Sequence, residues 1–254
     1  MQILKSLVLK LFYFVFKGYV IYNPEKHMPV DFDSHVVGIF SRVKKFTLTS
    51  PERVCSLVEA VRYVVRNNIS GDFVECGVWR GGSVMTMACT LESLNVANRT
   101  IHLYDTFSGM TAPSNEDVEF TNKSAKDVLG SDSAGKDGSP GWCVAGLEDV
   151  KRNLSQVNYP FARYNFVVGD ILQTIPKNLP PSIALLRLDT DWYESTKHEL
   201  IHLFPKLEKG GVLIIDDYGH WKGARKAVDE FLLENNVRMF LSRVDYSARI
   251  GIKA

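Results

Sequence analysis

The sequence predicts an α/β domain: a mostly parallel, seven-stranded sheet with helices on both faces and an antiparallel hairpin at its C-terminal end. Two observations predict this fold. Along the 254 residues, short apolar runs typical of buried strands alternate at least four times with stretches of helical periodicity. The last two strand-like runs, residues 238–244 and 248–252, are joined by a turn too short for a crossover helix, so they should pair antiparallel.

The first half of the domain contains two helices and two strands. A helix is predicted over residues 51–68, with proline at its first position. The strand DFVEC leads to Gly77, and a second helix is predicted over residues 84–94. The strand IHLYD then ends at Asp105. Residues 106–142 are polar and rich in Ser, Gly, Asp and Lys, which predicts a lid-like insert.

The second half continues the alternation of helices and strands. A helix over residues 144–154 precedes a strand that ends at Asp170, and the strand IALLRLD ends at Asp189. The next helix is expected to stop at Gly210-Gly211. The strand VLIIDD, the helix KGARKAVDEFLLEN and the two final strands complete the chain. No internal repeat and no second domain are evident.

The composition is that of an ordinary globular domain, with 45% hydrophobic and 23% charged residues. The formal net charge of +1 gives no basic excess to neutralise phosphates, so we expect no nucleic-acid partner. The four cysteines show no CxxC spacing. Their scatter argues against a disulfide framework and a zinc site, and it fits a reducing, cytoplasmic compartment.

Residues 1–50 are expected to form an apolar, helical extension. Lys5, Lys10 and Lys17 interrupt its apolar stretch, and the longest uncharged apolar run is far shorter than the roughly 20 residues that span a bilayer. The stretch also lacks the charge order and cleavage site of a signal peptide. We favour packing of this helix against the domain or against a second subunit of a homo-oligomer. Peripheral contact with a membrane surface is the alternative.

Every predicted parallel strand carries an acidic group at its carboxyl end. In chain order these groups are Glu75, Asp105, Asp170, Asp189 with Asp191, and Asp216 with Asp217. Because ligands of open α/β sheets bind outside the carboxyl ends of the strands, these groups should share one site. Helix capping explains one such acid. Five acidic strand ends repel one another unless a cation or a polyol ligand lies among them.

The turn ECGVWRGGS after the first strand has glycines at positions 77, 81 and 82, which let the backbone approach a ligand closely. Its pattern is neither the G-x-G-x-x-G of dinucleotide-binding proteins nor a P-loop. Asp105 lies where nucleoside-binding α/β proteins hold ribose hydroxyls. The carboxylates after the fourth and fifth strands suit a hard cation such as Mg²⁺. The alternative is that Asp189 or Asp191 simply caps the next helix.

Five motifs, in order along the chain, resemble those of the macrocin O-methyltransferase family: ECGVWRGGS, YDTFSGM, VVGD, LRLDTDWYEST and GGVLIIDDYGHWKGARKAVDEF. The resemblance runs from about residue 70 to residue 231 and covers the extension and the insert poorly. It implies a Rossmann-like class I methyltransferase domain over residues 51–254 that uses S-adenosylmethionine (SAM). It also implies Mg²⁺-dependent transfer of a methyl group to a hydroxyl of a small-molecule or glycan acceptor, such as the sugar of a natural product.

The resemblance implies cofactor roles for six residues. Three would line the methionine side of SAM: Glu75, Gly77 and Ser83. Asp105 would hold the ribose hydroxyls, with Ser108 nearby, and Asp170 would lie at the adenine.

The resemblance also implies a metal site and a base. Asp189, Asp216 and Asp217 would coordinate Mg²⁺. Asp191 would be the general base or a further metal ligand, and only analogy separates its role from that of Asp189. His220 is a second candidate for the base, against the simpler interpretation of a solvated loop histidine.

Two alternative functions stay open at this point. The first is an NAD-dependent Rossmann oxidoreductase that uses the glycine-rich turn for pyrophosphate. The missing G-x-G-x-x-G motif and the surplus of acids, which repel pyrophosphate, count against it. The second is an O-methyltransferase that acts on a phenolic or catechol hydroxyl instead of a sugar.

Overall fold

Helices and strands alternate along the chain in the order that the sequence predicts. The structure is a computed structural model and describes residues 28–131 and 143–254. The helices are α1 (Ser34–Val43), α2 (Pro51–Arg66), α3 (Gly82–Ser93), α4 (Ala125–Ser131), α5 (Leu147–Leu154), α6 (Ile171–Thr174), α7 (Tyr193–Leu203) and α8 (Lys222–Glu234). The strands are β1 (Asp72–Cys76), β2 (Ile101–Asp105), β3 (Tyr164–Val168), β4 (Ile183–Leu188), β5 (Leu207–Ile215), β6 (Ser242–Arg243) and β7 (Arg249–Ile252).

The described strands form one seven-stranded sheet in the order β3-β2-β1-β4-β5-β7-β6. β1 to β5 pair in parallel, whereas β7 pairs antiparallel with both β5 and β6. The mostly parallel sheet and the C-terminal hairpin are therefore confirmed, although β6 is shorter than the predicted run. The strand order reverses between β1 and β4, which opens a crevice at their carboxyl ends.

Helices cover both faces of the sheet because successive strand residues point to opposite sides. On one side Val74 and Leu186 belong to a buried cluster with Leu200 of α7 and Phe231 of α8. Residues at the alternate positions, such as Phe73, are equally buried. α2, which contacts β4 and β5, packs against α3. The central strands are thus apolar on both faces, which explains their continuous hydrophobic runs.

The two glycines that were expected to end a helix lie inside a strand instead. α7 ends at Leu203, and β5 already begins at Leu207 after a 3-10 turn. Gly210 donates its N–H to the carbonyl oxygen of Lys253 at 2.7 Å, so it takes part in strand pairing. The local sequence does not distinguish a glycine pair that ends a helix from one that lies inside a strand. The difference depends on the strand partner, which is distant in sequence.

Parts of two predicted regions lie outside the described residues: the apolar helix in residues 1–27 and residues 132–142 of the insert. The described part of the insert contains α4 and a bridge between Val118 and Ser124. The division into extension and domain, the lid role, the homo-oligomer, the membrane contact and the cytoplasmic location stay predictions. No helix in the described part of the chain has the length and apolarity needed to cross a membrane.

Candidate active site

The residues that the sequence singles out converge on one cavity at the carboxyl edge of the sheet. Its volume is about 430 Å³, within the range of small-molecule sites. Ten of them line it: Glu75, Gly77, Ser83, Asp105, Asp170, Asp189, Asp191, Asp216, Asp217 and His220. Ser108 is exposed, lies outside this lining and donates its N–H to Thr106 Oγ1 at 3.2 Å. The fold therefore gathers every candidate except Ser108.

The glycine-rich turn after β1 lies directly against the loop that follows β4. Gly77 has φ +82°, and a Cβ there would lie 1.9 Å from the carbonyl oxygen of Asp189. Only glycine permits this approach. Asp105 holds the same turn from β2, because its Oδ2 accepts hydrogen bonds from the N–H groups of Val78 and Trp79 at 2.6 and 3.1 Å. This structural role of Asp105 is not evident from the sequence.

Two further cofactor candidates lie at helix N-termini. Ser83 is buried in the first turn of α3. Asp170 is the N-cap of α6, and its Oδ1 accepts a hydrogen bond from the N–H of Leu172 at 2.9 Å. Both line the cavity, so both positions are compatible with the expected contacts to a cofactor.

A buried arginine in β4 joins the two halves of the cavity. Arg187 is the register partner of Glu75 in β1, and its guanidinium donates hydrogen bonds to three carboxylates. These bonds reach Glu75 Oε1, Asp189 Oδ2 at 2.7 Å and Asp216 Oδ1 at 2.5 Å. A buried charge must be paired. The lone arginine in the apolar run LLRL was the signal that could have revealed this residue.

Glu75 is fully buried, and one of its oxygens lacks a partner. Oε1 accepts from Arg187, whereas Oε2 has no hydrogen bond in the described structure. Burial raises the pKa of Glu75 to about 8, against the opposing effect of Arg187. An unsatisfied buried polar atom costs about 1–3 kcal/mol. An N–H group of a ligand in the cavity could donate a hydrogen bond to Glu75 Oε2.

Three carboxylates at the ends of β4 and β5 form a candidate cation site. Asp189, Asp216 and Asp217 each offer one oxygen, and these atoms all lie within 4.8 Å of one another. Asp216 and Asp217 are buried. An all-oxygen donor set of this kind suits Mg²⁺, which binds a few carboxylates and retains several waters. The donor set therefore fits the ion that the resemblance implies.

Negative charge exceeds positive charge around this carboxylate cluster. Burial, reinforced by the charge of Asp189, raises the pKa of Asp191 to about 8. Burial and the charges of its aspartate neighbours hold the pKa of Asp217 well above its usual range. Two unit charges about 4 Å apart repel by roughly 4 kcal/mol at an effective dielectric constant of 20. A cation bound among these groups would offset that repulsion.

A second arginine reaches the cluster from α2 and not from the sheet. α2 begins as predicted, with Pro51 after the N-cap Ser50, whose Oγ accepts from the N–H of Arg53 at 3.2 Å. The Arg53 guanidinium donates to Asp216 Oδ2 and, at 2.7 Å, to Asp245 Oδ2. Arg53 and Asp216 are 163 positions apart, and no local sequence pattern predicts their contact.

Asp191 faces the cavity and does not cap the next helix. Its backbone has φ +67°, and its Oδ1 accepts a hydrogen bond from Trp221 Nε1 at 2.7 Å. The first N–H of α7, from Tyr193, is bound at 2.7 Å by Asp117 Oδ1 of the insert. No side-chain cap comes from the residue that precedes α7. The alternative that Asp189 or Asp191 serves only as a cap is therefore wrong.

His220 lies in the turn after β5, at the edge of the cavity. Its Nδ1 is 3.2 Å from Tyr246 Oη, and its Nε2 is 3.6 Å from Glu119 Oε1. Burial lowers the pKa of His220, which favours the uncharged imidazole. An uncharged imidazole can accept a proton, as can Asp191 when a cation in the cluster favours its ionised form. Both stay candidates for the base.

The fold and site are those of a Rossmann-like methyltransferase of class I. The defining features are the strand order, the antiparallel strand at the C-terminal end and the cavity at the switch point between β1 and β4. The chain is similar over 82% of its length to the solved structure of the O-methyltransferase NovP, and covers 82% of that chain, with a TM-score of 0.70 and 29% sequence identity.

The sequence matches the Macrocin-O-methyltransferase (TylF) family over residues 21–250. This chain therefore belongs to that family, which confirms the resemblance and replaces the alternative of an oxidoreductase. It is 31% identical over 199 residues to demethyldecarbamoylnovobiocin O-methyltransferase of Streptomyces niveus, covering 78% of this chain and 72% of the relative. It is 30% identical over 205 residues to the 8-demethyl-8-(2,3-dimethoxy-alpha-L-rhamnosyl)-tetracenomycin-C 4'-O-methyltransferase of Streptomyces olivaceus, with the same coverage.

Proposed function

We propose that this chain transfers the methyl group of SAM to a hydroxyl of a sugar carried by a natural product or glycan, with the help of a divalent cation such as Mg²⁺. The observation that carries the proposal is the carboxylate cluster of Asp189, Asp216 and Asp217 beside the glycine-rich turn, within one cavity. The name of the Streptomyces olivaceus relative includes a rhamnosyl group, which supports a sugar acceptor.

The cofactor end of the cavity has the properties that SAM binding needs. Glu75 presents a buried oxygen without a partner, which suits the amino group of the methionine part of SAM. Gly77 and Ser83 line the same wall. Asp105 already binds two backbone N–H groups with one oxygen, and its other oxygen accepts from Phe107 N at 2.6 Å. The remaining lone pair of this carboxylate, on Oδ1, would accept from a ribose hydroxyl.

The three clustered aspartates would hold the cation, and Arg187 orients two of them. Since Arg187 also binds Glu75, one side chain positions the cofactor end and the cation end together. When bound, the cation makes a coordinated hydroxyl more acidic, and SAM supplies a methyl group on a sulfonium. The chain itself contributes orientation and a proton acceptor.

Asp191 or His220 would accept the proton of the acceptor hydroxyl. The Asp191 carboxyl group is oriented by Trp221 Nε1, which donates a hydrogen bond to its Oδ1 at 2.7 Å. His220 packs edge-on against Trp221 with 4.9 Å between ring centroids, so the two candidates adjoin the same indole. Oriented groups of this kind typically contribute about 10²–10⁴-fold to a rate.

The test is a methyl-transfer assay with SAM and a panel of acceptors, run with Mg²⁺ and with EDTA. The panel contains glycosides of several sugars and, as the alternative class, catechol. The expected result is a methylated glycoside in Mg²⁺ and loss of product in EDTA, restored by excess Mg²⁺. Activity that is unaffected by EDTA contradicts the cation mechanism. Product from catechol alone contradicts the sugar acceptor and favours the phenolic alternative.

A further inference from the structure

Three aromatic rings from separate segments meet at the mouth of the cavity. We call this group, Phe120, His220 and Tyr246, the aromatic rim. Its ring centroids are 5.4 Å apart for Phe120 and His220, 6.1 Å for Phe120 and Tyr246 and 5.9 Å for His220 and Tyr246. Phe120 is 54% exposed and Tyr246 57% exposed. Clustered exposed aromatic side chains are typical of a binding surface.

The aromatic rim continues the site outward from the carboxylates. His220 packs edge-on against Trp221, whose indole binds Asp191. The guanidinium of Arg53, which binds Asp216, lies over the ring of Tyr246 at 5.6 Å from its centroid. His220 and Tyr246 both line the cavity. A group that extends toward solvent from an acceptor at the carboxylates would therefore meet these rings.

The turn that carries Tyr246 is fixed from several sides. Asp245 Oδ1 accepts from the N–H groups of Ser247 and Ala248 at 2.9 and 2.8 Å, and its Oδ2 binds Arg53. Ser247 Oγ donates to the carbonyl oxygen of Asp216 at 2.7 Å. A Cβ on Gly219 would lie 2.1 Å from the carbonyl oxygen of Tyr246, so the two loops are in close contact. The rim is thus preorganised, which lowers the entropy cost of binding.

Phe120 is fixed in the same way from the side of the insert. Its N–H donates to the carbonyl oxygen of His220 at 2.8 Å, and its neighbour Glu119 pairs with Trp221 in a bridge. The insert therefore delivers one ring of the rim, and the β6–β7 turn delivers another. Neither contribution was predicted from the sequence.

We propose that Phe120 and Tyr246 determine acceptor specificity by stacking on a flat, uncharged ring group attached to the sugar that is methylated. This inference rests on the proposed function and names the carrier of the sugar. A diphosphate carrier fits poorly, because Glu119 lies beside the rim and Arg53 is already paired with two aspartates. The carboxylates would select hydroxyls and the rim would select the apolar ring.

The test compares three acceptors that carry the same sugar: 4-nitrophenyl α-L-rhamnopyranoside, methyl α-L-rhamnopyranoside and thymidine diphosphate rhamnose. Dissociation constants are measured by calorimetry on the full chain with S-adenosylhomocysteine and Mg²⁺, so the result does not depend on turnover. One aromatic contact strengthens binding by about two- to tenfold. With two rings, the wild-type chain should bind the nitrophenyl glycoside about tenfold more tightly than either other probe.

Variants assign this preference to the rim. Phe120→Ala and Tyr246→Ala should each reduce the preference by about threefold. Tyr246→Phe, which keeps the ring and loses the hydroxyl, should retain it. Phe240→Ala is the matched control, because Phe240 is 84% exposed and lies outside the cavity lining. All of these positions are largely exposed, and thermal unfolding checks that each variant folds.

Three results would overturn the inference: equal binding of the three probes, tighter binding of the nucleotide sugar, or a nitrophenyl preference that survives in the Phe120→Ala/Tyr246→Ala double variant. Absence of measurable binding by the nitrophenyl glycoside also counts against it, because the ring group alone should supply affinity. The proposed function fails separately. A chain that shows the nitrophenyl preference but methylates no glycoside has the rim and lacks the activity.

Discussion

Replacing Asp217 by asparagine should stabilise the cation-free protein and abolish most of its response to Mg²⁺. Asp217 is 8% exposed and lies among three other aspartates. Within the described chain, Arg187 and Arg53 form ion pairs with Asp216, but neither pairs with Asp217. The asparagine side chain would keep the size and one acceptor oxygen of the aspartate but could not ionise.

The magnitude follows from the raised pKa of Asp217. An aspartate that ionises near pH 3.9 in the unfolded chain, but whose ionisation is disfavoured in the fold, costs at most about 4 kcal/mol at pH 7. Relaxation of the cluster reduces this limit, so we expect Asp217→Asn to raise the free energy of unfolding by about 1–3 kcal/mol in EDTA. For a domain of this size that corresponds to a Tm increase of roughly 2–10 °C.

The assay is thermal unfolding of both proteins in EDTA and in a series of Mg²⁺ concentrations. At a Mg²⁺ concentration about 100 times Kd, the wild-type chain should gain about 2.7 kcal/mol. Loss of one carboxylate ligand should reduce that gain by about half, because a tenfold weaker site gives about 1.4 kcal/mol. Asp170→Asn is the control: asparagine also caps a helix, so stability and the Mg²⁺ response should both stay near wild type.

Two outcomes would refute this reasoning. If Asp217→Asn were less stable than the wild type in EDTA, Asp217 would not suffer net repulsion in the folded state. If it kept the full Mg²⁺ response, Asp217 would not be a ligand of the ion.

Three further predictions concern the same cavity. Since burial raises the pKa values of Glu75 and Asp191 to about 8, the folded state retains protons that the unfolded chain has released. Stability in EDTA, measured by urea titration, should therefore fall between about pH 5 and pH 8, and a rise over that range would contradict the pKa assignments. Asp191→Asn should still bind Mg²⁺ in calorimetry but lower kcat by about 10²–10⁴-fold; unchanged kcat would leave His220 as the base. Gly77→Ala should lower stability by about 1–3 kcal/mol and weaken binding of S-adenosylhomocysteine, because its Cβ meets a backbone oxygen at positive φ. Gly38→Ala, inside α1 and with nothing within 4 Å of its Cβ, should do neither.

The sheet could be predicted from the sequence because its signals are local. Apolar runs followed by acids mark the strand ends, and parallel connection then places all of those ends at one edge. Asp189 and Asp217 come together for that reason alone. Gly210 misled the prediction because the same residue ends helices and interrupts strands, and only its partner Lys253 distinguishes the two.

The positively charged and aromatic parts of the site could not be predicted in the same way. Arg187 was visible as a charge in an apolar strand, but its three partners depend on the pairing of β1 and β4. Arg53 and Tyr246 reach the cavity from α2 and the β6–β7 turn, and Asp117 of the insert binds the first N–H of α7. These contacts join residues far apart in the chain. Such contacts are set by packing, which no spacing in the sequence encodes.

The most direct test of the cation site is a crystal structure of the chain soaked with Mn²⁺, which replaces Mg²⁺ at oxygen sites and scatters X-rays anomalously. An anomalous peak is expected between Asp189, Asp216 and Asp217, at metal–oxygen distances of about 2.0–2.2 Å. It should be lost in Asp217→Asn. A peak elsewhere, or none at saturating Mn²⁺, would contradict the account that these three carboxylates form the metal site of a methyltransferase.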